Sequence, residues 1–304
     1  MTWIILIILP AFLWAVVNHL DKYLLDKYCK DRSVGALVLF SSLIGIPVIL
    51  FSHTMVDQIY ILSISEIVIL ILSGCFYIIG IIFYLYALQH SDASTIAPQM
   101  LLGPIFTYIL SFLILNEVLS VVQFISCLVI LFAAFGLNFE YEKRSLSFEW
   151  KNFLFMCVAA LFMAASAICF KFIAREIDFW LSIMWTHVGF VFIGFILFFC
   201  VKSYRNDFNR MLIENGSGIV TVNIISEIIT IVGNIAFNYV LLLAPVVLVQ
   251  IVTEGVQPVF VLILGVILTI LFPKLVHENM RKSALIKKSI LVVVMLMAMI
   301  SISL

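Results

Sequence analysis

The sequence predicts an all-α integral membrane protein of ten transmembrane helices, arranged as two inverted five-helix repeats. Three observations carry that expectation. The 304 residues are 64% hydrophobic and only 11% charged, whereas soluble domains are about 45–50% apolar and about 25% charged. Apolar stretches long enough to cross a bilayer recur along the whole chain. The Lys and Arg residues fall almost wholly in alternate gaps between those stretches.

A helix that spans the hydrocarbon needs about 20 apolar residues. Such stretches run from Trp3 to Leu20, Val34 to Phe51, Ile67 to Leu88, Ala93 to Leu115 and Val121 to Phe139. In the second half they run from Phe153 to Phe172, Phe179 to Val201, Ile219 to Leu243, Pro245 to Phe272 and Ile290 to Leu304. The last is short and reaches full length only by recruiting Ala284 to Ser289 or by thinning the bilayer around it. The N-terminus lacks a basic n-region and a small-residue cleavage site, so it reads as a retained first span. The gaps are too short for a folded soluble domain, which confines function to the helix bundle. The six cysteines sit singly, without a CxxC pair, and read as small packing residues.

Charge sets the expected orientation. Fifteen of the seventeen Lys and Arg residues lie in the gaps after spans one, five, seven and nine; only Lys171 and Arg175 lie on the other side. The positive-inside bias makes the first side cytoplasmic and puts both termini outside, in the plasma (bacterial inner) membrane. The formal net charge is zero, and no basic patch marks a nucleic-acid partner.

The chain repeats itself. Tyr84 to Leu115 reads YLYALQHSDASTIAPQMLLGPIFTYILSFLIL, and Asn238 to Leu268 reads NYVLLLAPVVLVQIVTEGVQPVFVLILGVIL. Each has a Tyr near a helix end (Tyr86, Tyr239), a short turn, and a helix with Pro in its first half (Pro104, Pro258). Lys22-Tyr23 and Lys171-Phe172 echo one another at the ends of spans one and six. Two halves of five spans, 1–145 and 146–304, must insert with opposite topology, an arrangement common in secondary transporters.

At these residues the sequence resembles the EamA-like family of the drug/metabolite transporter superfamily. The resemblance is carried by YALQHSDASTIAP…GPIFTYILSFLILNEVLS, by LWAVVNHLDKYLL in span one, by the Ala244-Pro245 turn and by EGVQPVFVLILGVIL in span nine. The second half departs: Phe272-Pro273-Lys274 stands where the first half has Asn116-Glu117, and one extra residue lies between Ala244 and Pro258. The resemblance implies a central cavity reached from alternate sides.

Polar residues at membrane depth are costly, and they normally face a cavity or a partner. Span eight carries Asn223, Glu227, Thr230, Asn234 and Asn238, which fall within about 80° of helical arc. Span nine carries Gln250, Thr253, Glu254 and Gln257 on one face. The expected solute pathway combines Asn223, Glu227, Thr230, Asn234, Gln250, Glu254 and Gln257 with Trp14, Asn18, Tyr77, Tyr84 and Gln99 from the first half. Carboxylates at that depth suit proton coupling or recognition of a cationic or amine-bearing solute. Pro98, Pro104 and Pro258 free backbone carbonyls inside helices. Lys22 and Lys171 are candidate matched gates. Asp21 reads as an interface charge or, with Lys22, as part of a cytoplasmic gate, and His187 as a packing residue.

No GxSxG, HExxH, Walker or Gly-rich nucleotide motif occurs, so neither an enzyme, nor a cofactor, nor a metal site is expected. The expected partners are a small-molecule solute and membrane lipid. The function that follows is secondary transport of a small organic metabolite by alternating access, proton-linked or by exchange. Two further readings are a translocase for a lipid-linked group and a non-transporting receptor or assembly subunit.

Overall fold

The computed structural model describes residues 2–28, 34–56, 62–90, 99–100, 102–137, 150–214, 216–271 and 290–301, the last without 292, 295 and 296. Regular structure among them is entirely helical. The first half holds α1 (Thr2–Tyr28), α2 (Gly35–Leu43), α3 (Gly45–Met55), α4 (Ile64–His90), α5 (Leu102–Leu110) and α6 (Val121–Leu137). The second half holds α7 (Trp150–Ala174), α8 (Phe179–Cys200), α9 (Lys202–Glu214), α10 (Gly216–Leu241) and α11 (Val246–Leu271).

Seven helical stretches among the described residues are long and apolar enough to cross a bilayer, with α2 and α3 counted together. Two shorter apolar helices, Leu102–Leu115 and Val121–Ala133, stand where the sequence places spans four and five. Residues 290–301 are helical where described, and Ala298 and Met299 are buried. The remainder of the tenth stretch lies outside the described residues.

Three local features depart from the sequence reading. First, α1 does not stop at Leu20 but continues to Tyr28. The segment Asp21–Tyr28 contains no breaker, and Lys27 Nζ donates to Tyr23 Oη one turn back at 2.7 Å. Second, span two breaks at Ile44. Pro47 has no N–H to give the carbonyl four residues earlier, which ends the helical ladder there. Third, the gap after span seven forms α9. Tyr204, Phe208 and Met211, spaced by four and three, are buried on one of its faces, while Lys202, Arg210 and Ile213 are exposed.

The packing is reciprocal between the halves. α1 lies against α10 and α11, and α7 lies against α4 and α5. The second elements, α2–α3 and α8, pack on each other. α4 and α8 meet backbone to backbone: a Cβ on Gly74 would land on the Thr186 carbonyl, and one on Gly189 on the Ile71 carbonyl. Small residues commonly permit such close helix crossings in membranes. The corresponding seam between α2 and α10 is sparse.

Two large apolar cores and a small third one around Tyr204 and Phe208 form among the described residues. One large core gathers Ile7, Leu70, Phe170, Ile183 and the start of α11. The other gathers Leu24, Leu37, Ile78, Leu88, Met156 and Ile219. The outer surface is also apolar: Phe132 is 73% exposed and Leu113 67%. An aqueous surface does not carry such a belt, and lipid solvates it.

Candidate functional site: a polar cavity between the halves

α10 is amphipathic in the inverted sense. Asn223, Ser226, Glu227 and Asn234 are buried, while Ile224, Ile225, Ile228 and Val232 face outward. The 3.6-residue period thus turns the stripe toward the bundle axis and gives the apolar face to lipid.

A cavity of about 160 Å³ opens against that stripe. On this measure one water takes about 10–15 Å³, so there is room for roughly ten water-sized groups. Its walls come from α1, α2, α4, α7, α8, α10 and α11, together with Met100. From the expected pathway Trp14, Asn18, Tyr77, Tyr84, Asn223, Glu227, Thr230, Asn234, Gln250, Glu254 and Gln257 line it. Gln99 is half-buried and not among the lining residues. Pro104 is buried within α5 and Pro258 lies inside α11, both away from the lining. Pro98 lies outside the described residues.

Hydrogen bonds tie the wall together across the two halves. Tyr77 Oη pairs with the Asn234 amide, accepting from Nδ2 at 3.0 Å. Tyr84 Oη donates to Asn18 Oδ1 at 3.0 Å. Ser41 of α2 donates to Glu227 of α10, bridging the sparse seam. Gln250 Nε2 donates to Glu254 Oε1 at 2.8 Å, and Thr107 of α5 donates to the Gln250 carbonyl oxygen. Gly103 makes room for that pair, because a Cβ there would come within 2.7 Å of both Gln250 Nε2 and Glu254 Oε1.

Two lining residues were assigned otherwise from the sequence. Asp21 is part of the wall, and its Oδ1 accepts from Ser226 Oγ of α10 at 3.2 Å. The extra turns of α1 carry it there. His187 also lines the cavity; it is 1% exposed, with Nδ1 at 2.8 Å from the Ile183 carbonyl. The sequence signal for both was an ionisable group close to a helix that also carried other polar residues. Four buried atoms of the wall have no partner among the described residues: Thr186 Oγ1, His187 Nε2, Asn223 Nδ2 and Glu254 Oε2.

The two lysines differ in setting. Lys171 Nζ donates to Glu117 Oε1 at 2.6 Å and to the Ala244 carbonyl at 2.7 Å. Glu117 Oε2 accepts from Val246 N at 2.8 Å, at the start of α11, where a carboxylate suits the helix dipole. The path to this bracket is local. α5 ends in a π-helical turn, Ser111–Leu115, and Asn116 takes a left-handed conformation with φ 54°, which Asn tolerates better than most residues. That turn aims Glu117 inward. Lys22 Nζ reaches the Leu88 carbonyl at 3.5 Å.

Residues 1–139 match the model of the EamA-like transporter family. No curated protein matches the chain. A solved structure, described only as the crystal structure of a protein, shares the fold at a TM-score of 0.64 over 97% of each chain, with 13% identity. The apolar spans and the family match together make this a multi-pass membrane protein whose residues 1–139 are similar to the EamA-like transporter family.

Proposed function

We propose that the chain is a secondary transporter of a small organic metabolite, such as an amino acid or amine, working by alternating access between two inverted five-helix halves. The observation that carries this reading is the polar cavity itself. It lies inside an apolar bundle, is walled by both halves, and contains buried polar atoms without partners among the described residues. The reciprocal packing of α1 on α10–α11 and of α7 on α4–α5 supports the inverted relation. Proton coupling or exchange supplies the driving force in this reading.

The two ends of the cavity differ, as alternating access requires of any single state. The Lys171–Glu117 bracket closes the end at which α11 begins, and Lys22 is its counterpart at the other end. We place the Lys22 end in the cytoplasm, on the distribution of Lys and Arg. A lipid-linked substrate requires a stripe that lipid can reach, and the low exposure of Asn223, Glu227 and Asn234, at most 9%, weighs against it.

Purified protein in proteoliposomes tests the reading. Counterflow of a bound solute is expected in the wild type. Glu227→Gln and Glu254→Gln are each expected to lower it at least about tenfold, with unchanged size-exclusion profiles. Wild-type flux in both variants refutes the role given to these carboxylates.

A further inference from the structure

Three helices each bring one carboxylate to the cavity: Asp21 from α1, Glu227 from α10 and Glu254 from α11. No Lys or Arg is among the described residues that line it. The hydrogen-bond donors found on these acids are neutral. Asp21 accepts from Ser226, Glu227 from Ser41, and Glu254 from Gln250 through one oxygen only. An ionised carboxylate offers about four lone-pair sites, and Glu254 Oε2 is buried with no partner among the described residues. Buried charge in that state is destabilising, and either an added proton or a cationic solute beside the acids relieves it.

The unpartnered atoms point the same way. His187 Nδ1 lies against the Ile183 carbonyl and donates to it, so Nε2, which has no partner among the described residues, is an acceptor whenever the ring is neutral. Thr186 Oγ1 and Glu254 Oε2 add further acceptor sites. Asn223 Nδ2 leaves a donor for a hydroxyl or carbonyl on the solute. Between these groups the wall is aromatic. Tyr77 stacks on Phe190 with centroids 5.0 Å apart, and Trp14 tilts on Phe237 at 5.0 Å. Such faces hold an apolar body and favour a cation over them.

We infer that the solute is a small organic cation, an amine or guanidine on an apolar or aromatic body of roughly ten non-hydrogen atoms, and not the amino acid of the same skeleton. An α-carboxylate entering this cavity meets three acids and no described cationic side chain; removing it leaves only the favourable contacts. The inference rests on the transporter reading for its site, and it narrows the solute class.

Matched pairs test it on the wild-type protein in lipid nanodiscs. Thermal stabilisation is measured with phenethylamine against phenylalanine, tyramine against tyrosine, and agmatine against arginine, with phenethyl alcohol as the neutral control. At least one amine is expected to half-saturate at a concentration about tenfold or more below its amino acid and below the alcohol. Glu227→Gln and Asp21→Asn are expected to abolish that preference. Equal or better binding by the amino acids or the alcohol, or no stabilisation by any amine, overturns the inference. The comparison within pairs needs no variant, so a misfolded mutant cannot mask it. Flux in proteoliposomes separates the two readings. Transport of an amino acid with no amine transport defeats the cation inference and leaves the transporter standing. Amine binding without flux does the reverse.

Discussion

At the residue scale, the groups that matter are polar side chains placed where lipid forbids them, and their neighbours decide what each can do. Gly103 is the plainest case. The atoms nearest a methyl group there are the tips of Gln250 and Glu254, which can swing aside. Gly103→Ala is therefore expected to leave thermal stability within about 1 kcal/mol. It is also expected to cut solute uptake about tenfold, because the displaced pair no longer presents Glu254 to the cavity. Lys171 and Glu117 predict the opposite pattern. Their side chains are only 11% and 15% exposed, and a lone buried charge is costly. Lys171→Met or Glu117→Leu alone is expected to destabilise the protein by about 3 kcal/mol, while the two combined recover part of that loss. A thermal-unfolding double-mutant cycle measures it; additive losses refute the coupling. Glu227 and Glu254 were legible in the sequence because a lone acid in an apolar run stands out. Asp21 was not, because a charge at the expected end of a span reads as interfacial until the helix is seen to continue.

At the scale of elements, hydropathy and period located the helices, and close backbone approach arranged them. The α4–α8 crossing depends on Gly74 and Gly189. Because the carbonyls of Thr186 and Ile71 lie where a new Cβ would go, Gly74→Ala and Gly189→Ala are each expected to cost about 1–3 kcal/mol. Melting of the detergent-purified protein measures this, and an unchanged midpoint refutes the crossing. The same substitutions push Thr186 and His187 out of register with the cavity, so function falls even in molecules that fold. The amphipathic α9 was readable in principle from Tyr204, Phe208 and Met211. A short polar gap draws attention to its charges, however, and its apolar face acquires meaning only from Leu39 and Phe198, against which Tyr204 and Phe208 pack.

At the scale of the whole molecule, the proposal is that one end of the cavity is held shut while the other admits solute. In a variant lacking native cysteines, a cysteine at position 81, a half-buried position on the cavity wall, is expected to react with a membrane-impermeant maleimide, and one at the buried position 244 to be protected. Adding Lys171→Met is expected to raise labelling at 244 and lower it at 81 by about half; parallel changes at both positions refute a reciprocal gate. The sequence alone determined that the chain lives in lipid, where its seven long described spans fall, and which face of α10 is polar. Those follow from local composition and helical period, which need no partner to be read. Only the tertiary structure decided that Asp21 and His187 join that stripe, that Gln99 does not, and that Glu117 answers Lys171. Each of those depends on where a second helix passes, and hydropathy carries no information about distances between helices.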